Sequence, residues 1–296
     1  MTYPQIAAFA RLANGGVAPA RAIAGQATKL VRDSHDVYYD ETNDEIVVAS
    51  AFGQAILYYR GAANGEEAPV RIIQGPHTQI SMPGYGVYVD AVHNETYLME
   101  GRERPGEEYI LVFPRNAKGD VAPLRVIKGP DTMLKNARSM AVDPVRNLIA
   151  VASGNGMLIF NRTDNGNAKP RAVITGPGNN NFRLLVSKGY IISGGGGAGG
   201  GDGDGGERRD GGRGAEGGGA EAGGGRGNAG GRVVIRVWSI TDKGRVPPLF
   251  EIRSPGGGAG SGALGGGRIA LNPKDKEVII GGGQGVSIYS LPEIFE

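Results

Sequence analysis

The sequence predicts an all-β protein, a β-propeller built from four-stranded blades. Three observations predict it. A segment of 13 residues recurs along the chain, short strands with alternating apolar and polar residues lie between its copies, and no segment has the sustained 3.6-residue period of a helix. Four strands in a unit of about 45 to 50 residues are typical of one propeller blade. We predict five blades, with six as the structural alternative.

The recurring segment contains a glycine, then proline, arginine, isoleucine and a closing glycine. Three copies align without gaps, at residues 13–25, 63–75 and 117–129. A fourth copy, 164–176, has its arginine shifted by one position, and a fifth, 241–253, has Phe250 in place of arginine. Each copy follows a strand that ends in an aromatic residue, and a sixth such strand ends the series; these residues are Phe9, Tyr59, Phe113, Phe160, Trp238 and Tyr289.

Two further strands lie between consecutive copies, because alternating β-branched and aromatic residues recur there. The predicted pairs are 37–40 with 45–50, 87–90 with 95–100, 140–143 with 147–153, 184–187 with 190–193, and 269–272 with 277–280. Most of the turns between them begin with Asp40, Asp90, Asp143 or Asn272, whose side chains accept hydrogen bonds from the backbone two residues on. We therefore interpret these residues as Asx turns and not as a ring of metal ligands.

The run from Pro83 to Phe113 has the pattern P-G-x-G-V-x-V-D, then N-E-x-Y-L, then Y-I-L-V-F. It resembles the NHL and TolB-like propeller repeats and the related bacterial lactonase-type propellers, over most of residues 6–290 apart from a Gly-rich insertion. The resemblance implies that the V-x-V-D strand is innermost and the Pro-x-Arg-x-Ile-x-Gly strand outermost in each blade. The implied blades are 36–75, 86–129, 139–176, 183–253, and a fifth that begins at residue 268.

Closure of the ring needs a strand from outside the fifth blade. The fifth blade has three strands and no outer strand after them, whereas residues 20–25 form an outer-type strand that belongs to no blade. We predict that residues 20–25 close the ring by pairing beside residues 286–289. Residues 6–11 are then a surplus strand, which either belongs to a distorted, incomplete sixth blade or pairs with another subunit, since unpaired edges recruit partners.

Glycine is unevenly distributed. Of 54 glycines, 22 lie between Gly194 and Gly231, 8 between Gly256 and Gly267, and 4 between Gly281 and Gly285. We predict one propeller domain over residues 1–296, with 194–231 inserted in blade 4 between its second and third strands. Because antiparallel strands alternate in direction, all three Gly-rich stretches fall on one face.

The insertion has two interpretations. Gly-rich chain is costly to order and brings few side chains to bury, which indicates a solvated loop. The alternative is an ordered contact platform for a protein partner, in which acidic residues are interspersed with Arg208, Arg209, Arg213 and Arg226. The absence of aromatic residues and the excess of acidic over basic residues disfavour an RNA-binding role.

The same face contains the mouth of the central channel, where each inner strand begins. Alignment of the five copies places one set of residues there and a second set directly before it: Asp36, Gly86, Ser139, Arg183 and Arg268, preceded by His35, Tyr85, Arg138, Phe182 and Gly267. Three arginines with one histidine indicate a site for an anion or an acidic peptide, because guanidinium groups bind carboxylates and phosphates in a bidentate manner.

The sequence contains few candidate catalytic residues. Without cysteine there is no thiolate zinc site and no cysteine nucleophile. Lactonase-like and lyase-like propellers use oxygen-rich rings that hold a divalent cation in the channel, but only Asp36 is acidic at the aligned ring position, so the family's catalytic residues are not carried over. We interpret His35, His77 and His93 as structural, and no nucleophile elbow is present.

These observations favour a non-catalytic binding or scaffold propeller that mediates protein interaction or self-association through its Gly-rich face, with no cofactor. The alternative is a metal-dependent, lactonase-like or lyase-like enzyme. A net charge of +2 gives no reason to expect nucleic acid, and no apolar run reaches the length of a membrane span. With no signal peptide the default expectation is the cytoplasm; a different native N-terminus would indicate a secreted or surface protein.

Overall fold

The computed structural model describes residues 4–32, 34–83, 86–101, 107–137, 139–175, 182–194, 233–253, 269–282 and 285–296. Within these residues the chain is all-β and forms a five-bladed β-propeller, as the sequence predicted. Helix is limited to three 3₁₀ turns, at Gln26–Thr28, Pro76–Thr78 and Pro130–Thr132, and a short C-terminal helix α1 (Pro292–Phe295).

The strands follow the repeat. They are β1 (Gln5–Ala8) and β2 (Arg21–Ala24) in an N-terminal hairpin; β3 (Ser34–Asp40), β4 (Glu45–Ser50), β5 (Ala55–Arg60) and β6 (Arg71–Gln74) in blade 1; β7 (Val87–Asp90), β8 (Glu95–Glu100), β9 (Tyr109–Pro114) and β10 (Arg125–Ile127) in blade 2; β11 (Ser139–Asp143), β12 (Leu148–Ser153), β13 (Gly156–Asn161) and β14 (Ala172–Thr175) in blade 3; β15 (Phe182–Leu185), β16 (Tyr190–Gly194), β17 (Val233–Ser239) and β19 (Phe250–Arg253) in blade 4; and β20 (Ile269–Asn272), β21 (Glu277–Gly282) and β22 (Gly285–Ser290) in blade 5. The two-residue strand β18 (Gly244–Arg245), in the loop between β17 and β19, pairs in parallel with β14 of blade 3.

Each blade is an antiparallel sheet in which the inner strand comes first, so the order in blade 1 is β3-β4-β5-β6. Blade 4 departs slightly from prediction, because its inner strand ends at Leu185 and not at residue 187. The turn comes early since Gly189 takes a positive φ of 68° and donates its N–H to the Leu185 carbonyl at 2.9 Å.

The predicted Asx turns are confirmed between the first two strands of the blades. The Asp40 carboxylate accepts the Thr42 N–H at 3.1 Å, and the Asp90 carboxylate accepts the Val92 N–H at 2.9 Å. The same bond recurs at Asp143, and at Asn272 the side chain accepts the amide three residues on. These side chains are therefore occupied in holding the turns.

The predicted closure of the ring is wrong. β2 pairs with β1 and not with β22, and the two strands form a separate two-stranded sheet in which Ile6 lies opposite Ile23. The surplus strand of the sequence prediction is thus the partner of the outer-type strand. Their register matches that of the third and outer strands of blade 1, in which Ile56 lies opposite Ile73. Among the described residues, blade 5 retains three strands.

Neighbouring blades are joined at the rim by a bridge that explains two residues of the repeat. The isoleucine of four outer strands, β2, β6, β10 and β14, forms a parallel bridge with the glycine in the next unit's loop. The pairs are Ile23 with Gly65, Ile73 with Gly119, Ile127 with Gly166 and Ile174 with Gly244. Those glycines have φ between 64° and 74°, a left-handed conformation that glycine adopts without steric cost.

The repeated arginine holds adjacent blades together. Arg71 on β6 forms an ion pair with Glu45 on β4 and donates to the Arg115 carbonyl of blade 2 at 3.0 Å. Arg115 itself donates to the Glu45 carboxylate at 3.1 Å. One glutamate thus binds two arginines, one from its own blade and one from the next. The same staple, as we name this group of three, recurs with Glu95, Arg125 and Arg162.

Apolar side chains fill the space between neighbouring sheets. Clusters of buried residues lie between the hairpin and blade 1, and then between each blade and the next as far as blade 5. The aromatic residue that ends the third strand is buried in the first four of these interfaces, as Tyr59, Phe113, Phe160 and Trp238 show with 0% exposure, and in the fifth Tyr289 is partly buried. Burial of both sheet faces supplies most of the stabilisation.

The staple between blades 2 and 3 predicts a change in stability. Burial alone would raise the pKa of Glu95, but hydrogen bonds from Arg125, Tyr97 and Arg162 outweigh it and hold the pKa below its usual value. Glu95→Gln leaves two partly buried arginines without a carboxylate, so we expect the free energy of unfolding at pH 7 to fall by about 1–3 kcal/mol. Urea denaturation measures this change.

The control is Glu67→Gln, which removes a carboxylate from an ion pair with the exposed Arg60. Exposed pairs are screened by water and salt, so this variant should stay close to wild type. Equal effects of the two substitutions would contradict a stapling role for Glu95.

Candidate functional site

The inner strands β3, β7, β11, β15 and β20 surround the centre of the ring. Two of the predicted mouth residues come together there. Nη2 of Arg183, at the start of β15, lies 3.7 Å from Oδ1 of Asp36 on β3. Blades 1 and 4 are not neighbours in the ring, so this ion pair spans the channel. The two side chains can meet because the inner strands β3 and β15 begin at the same level of the ring.

Asp36 is held more firmly than Arg183. Its side chain is 8% exposed, against 29% for Arg183, and its Oδ2 accepts the N–H of Val87 on the inner strand of blade 2 at 3.2 Å. The carboxylate therefore links two adjacent inner strands and one distant strand. Asp36 thus contacts the inner strands of blades 2 and 4, and Arg183 is its cationic partner.

Of the other predicted mouth residues, some lie at or near the start of an inner strand and the rest lie outside the described residues. Ser139 is buried at the start of β11, and Gly86 precedes β7, where an added Cβ would come within 3.4 Å of Met99 and Met140. His35 and Phe182 lie within β3 and β15. Tyr85, Arg138, Gly267 and Arg268 lie outside the described residues, as do Arg208, Arg209, Arg213 and Arg226 of the insertion.

Sequence reasoning missed two tyrosines at the centre. Tyr38 and Tyr88 occupy the same position of neighbouring inner strands, and their ring centroids are 4.8 Å apart at an interplanar angle of 52°. Burial raises the pKa of Tyr38 to about 12, and burial likewise raises the pKa of Tyr88. Both phenols are neutral at physiological pH. Their signal in the sequence was the shared V-Y-x-D pattern, in which the tyrosine is two residues before the turn aspartate.

The remaining histidines have structural partners. His93 Nδ1 lies 2.7 Å from Oδ2 of Asp90, within the Asx turn of blade 2. His77 Nδ1 lies 2.6 Å from Oδ2 of Asp120, which also accepts the His77 N–H. Across the described ranges, no cluster of three or more His, Asp or Glu residues is arranged to hold a metal ion.

A buried carboxyl group, also missed, lies on the same face as the mouth. Glu100 ends β8, where the chain turns toward the third strand, and it is 1% exposed. Its Oε2 accepts hydrogen bonds from the Ser81 hydroxyl at 3.1 Å and from the Met82 N–H at 3.1 Å. Its Oε1 is buried and has no partner among the described residues. Burial raises the pKa of Glu100 to about 7.

The strand ends that flank the Gly-rich stretches lie on this face as well. β16 ends at Gly194 one residue beyond Ser193, which pairs with Phe182 at the start of β15. β17 begins at Val233, opposite Arg253 at the end of β19, and β20 begins at Ile269, opposite Ile280 near the end of β21. Three successive Gly-rich connections of blades 4 and 5 therefore start and end on the side of the Asp36–Arg183 pair.

Comparison with solved structures supports the architecture. The chain superimposes on the β-propeller domain of Cps50 (Swd1) from Myceliophteria thermophila with a TM-score of 0.51 and 9% sequence identity, covering 89% of this chain and 67% of that one. The fold is a β-propeller. At this identity the likeness establishes the fold alone.

A second similar structure, hydrazine synthase from Kuenenia stuttgartiensis, has a TM-score of 0.48 and 9% identity, and the alignment covers 83% of this chain but 55% of that chain. No family model matches the sequence and no curated protein matches it. The resemblance to NHL and TolB-like repeats therefore stays a prediction from the quoted motifs. No helix in the described part of the chain is long and apolar enough to cross a membrane.

Glu100 predicts a pH dependence of stability. In the unfolded chain its carboxyl ionises near pH 4.5, whereas in the folded state it keeps its proton up to about pH 7. The free energy of unfolding should therefore fall as the pH rises from 4.5 to 7, by about 3 kcal/mol at 1.36 kcal/mol per pH unit. Above pH 7 this contribution is constant.

Glu100→Gln cannot ionise, so the stability difference between variant and wild type should shift in favour of the variant by that amount between pH 4.5 and 7.5. Urea denaturation at several pH values measures it. Glu41→Gln, which removes an exposed carboxyl, controls for the change in net charge. Parallel pH profiles for Glu100→Gln and wild type would refute the assignment.

Proposed function

We propose that this propeller is a non-catalytic scaffold that binds a protein partner through its Gly-rich face. The observation that carries the proposal is the placement of the three Gly-rich connections. Together they contain 34 of the 54 glycines, and the strands that flank them end on one side of two adjacent blades. A propeller is a rigid support for such a surface, because closely packed blades hold the strand ends in place.

The chemistry of the channel mouth supports binding more than catalysis. Asp36 is occupied by the Val87 N–H and Arg183, and the two tyrosines beside it have pKa values too high for either to act as a base at neutral pH. The likeness to the propeller domain of Cps50 (Swd1), at 9% identity, concerns the fold alone, and a fold of this kind hosts many functions. The proposal therefore rests on the placement of the Gly-rich connections.

Replacement of the insertion tests the proposal. Because Gly194 lies directly opposite Ile235 in the pairing of β16 with β17, a short Gly-Ser-Gly-Ser turn in place of residues 195–232 should close the hairpin without disturbing blade 4. We expect the melting temperature to stay near that of wild type. Partners recovered by affinity capture from the native source should be lost, as measured by mass spectrometry of the bound fraction.

A second variant keeps the length of the insertion and changes Arg208, Arg209, Arg213 and Arg226 to Gln. It separates the contribution of the arginines from that of the glycine backbone. Recovery of the same partners by wild type and by the shortened chain would overturn the proposal.

The competing function is a metal-dependent, lactonase-like or lyase-like enzyme with its site in the channel. Metal analysis of the purified full chain distinguishes the two functions. One tightly held divalent ion per chain, lost on Asp36→Asn substitution, would replace the scaffold proposal by the enzymatic one.

A further inference from the structure

Among the described residues, the series of buried apolar clusters does not continue from blade 5 to blade 1. Buried clusters connect the hairpin to blade 1 and each blade to the next as far as blade 5. Among the described residues, no such cluster connects blade 5 to the hairpin or to blade 1. Each blade has two apolar faces, and on blade 1 the hairpin covers only the outer part of one of them. An open position therefore leaves one face of blade 5, and the inner part of one face of blade 1, without cover.

On blade 1, two apolar side chains of the inner strand β3 are exposed toward this open position. Val37 and Tyr39 of β3 are 43% and 49% exposed. Their equivalents on the inner strand of blade 2, Val87 and Val89, are both 3% exposed, because they pack against blade 1. On β3 the corresponding side chains face the open position.

Blade 5 has the matching exposed surface on β22. Val286 and Ile288 are 69% and 42% exposed. In the register of blade 1 they correspond to Ile56 and Tyr58, which are fully buried. β22 is also an edge strand, since its described partner is β21 alone, whereas every other third strand pairs with an outer strand as well. Long apolar edges of this kind are usually covered in natural proteins.

The hairpin occupies part of the space between blade 5 and blade 1. Nη1 of Arg11, three residues beyond β1, lies 2.6 Å from Oε1 of Glu277 on β21. Arg11 occupies the register position of Arg115 and Arg162, and Glu277 occupies that of Glu45 and Glu95. The hairpin therefore stands beside blade 5 as the third and outer strands of the next blade would stand.

In the described part of the chain, this position has two of the three members of a staple, Glu277 and Arg11. Glu45 and Glu95 each bind an arginine from the outer strand of their own blade and another from the next blade. Among the described residues, Glu277 has the second kind of arginine, Arg11, and lacks the first. The side chain of Glu277 is nevertheless 12% exposed, and its Oε2 accepts a hydrogen bond from Nδ2 of Asn272 at 3.0 Å. An arginine on a strand beside β22 would therefore join Arg11 and Asn272 at a preformed, largely buried carboxylate.

The loop after β1 has the residues that bind an outer strand elsewhere in the ring. Asn14 and Gly15 correspond to Asn64 and Gly65. Those residues hold β2 through its backbone: the Asn64 side chain accepts the Ala22 N–H, and Gly65 exchanges hydrogen bonds with Ala22 and Ala24. Gly15 has the same positive φ, 70° against 65° for Gly65, and no backbone hydrogen bond joins it to a described residue.

We propose that the open edge of β22 is a docking site for an extended strand of another protein. Glu277 on β21 and Gly15 in the loop after β1 are the other two parts of this site. The strand carries the pattern Pro-x-Arg-x-Ile-x-Gly. It would pair antiparallel with β22, place its isoleucine opposite Val286 and its arginine opposite Ile288, and extend the arginine to Glu277. This is β-augmentation, in which main-chain bonds supply affinity and alternate side chains supply specificity.

A second copy of this chain is a poor occupant. The strands that carry arginine followed two residues later by isoleucine are β2, β6 and β10, and each is already paired within its own sheet. The insertion is also unsuitable, because residues 195–232 contain no valine, isoleucine, leucine or aromatic residue to cover Val286 and Ile288. The site differs from the Gly-rich face, so the failure of one proposal leaves the other intact.

A synthetic peptide tests the site directly. The probe is the capped octapeptide of residues 122–129, Ala-Pro-Leu-Arg-Val-Ile-Lys-Gly, labelled for fluorescence anisotropy and titrated with the full chain. We expect saturable binding. The same peptide with Arg125→Glu should bind at least about tenfold more weakly, since the reversed charge meets Glu277; tenfold corresponds to 1.4 kcal/mol. This comparison leaves the protein unchanged, so folding cannot confound it.

Matched variants of the chain locate the bound peptide. Val286→Lys should weaken binding at least about tenfold, because lysine on an edge strand opposes further pairing. Val145→Lys is the control, since Val145 is 71% exposed, as Val286 is 69% exposed, but lies in a turn of blade 3. It should bind as wild type does, and equal melting temperatures would show that both variants fold.

Three results would overturn the proposal. They are no saturable binding of the Arg peptide up to about 1 mM, where even weak complexes form; equal affinity for the Arg and Glu peptides; and a wild-type dimer in sedimentation velocity that Val286→Lys converts to monomer. The last result would assign the open edge to a second copy of the chain.

Discussion

The contact between adjacent blades is the interaction on which the rest of the structure depends. A single four-stranded sheet of this chain is apolar on both faces, so it is stable only when a neighbour covers each face. At the rim the contact is polar and directional. The outer-strand isoleucine bridges to a glycine of the next unit, and in two interfaces a glutamate binds arginines from both blades. Apolar packing supplies the energy, and these rim contacts set the register.

This arrangement explains why the repeat has its particular residues. Glycine permits the left-handed turn that receives the neighbouring strand, isoleucine fills the interface beneath the bridge, and arginine reaches the staple glutamate. Where the pattern changes, the contact changes with it. Blade 3 has Arg171 one position early, and there the arginine is exposed and donates to Asn161 of its own blade, so the interface with blade 4 has apolar packing and the bridge without a staple of this kind.

The same contacts connect the fold to the proposed binding surfaces. The groups at the start of the inner strands already have partners, because Asp36 joins three inner strands and Tyr38 packs against Tyr88. The surfaces left for partners are the side where the Gly-rich connections leave blades 4 and 5 and the uncovered edge of β22. Both belong to the half of the ring in which the repeat is least regular, which is where a propeller built from similar units can acquire a specific partner.

Much of the fold followed from the sequence because its signals are local. Strand alternation, the Asx turn at Asp40 and Asp90, and the 13-residue repeat all arise from neighbours in the chain, and they determined the propeller, four complete blades and an incomplete fifth. Closure was different. Both β1 and β22 are competent partners for β2 by pattern, and the choice of β1 depends on how the hairpin packs against blade 1.

The candidate sites divide in the same way. Alignment of the repeats placed Asp36 and Arg183 at one level of the ring, but their contact depends on how the blades are arranged around the centre. The burial that raises the pKa of Glu100 comes from the tertiary surroundings of the end of β8. The pairing of Arg11 with Glu277 joins residues 266 positions apart. The sequence by itself determined the repeating unit and its strands; the tertiary structure decided which edges are covered, because that depends on the sum of packing around the ring and not on any one repeat.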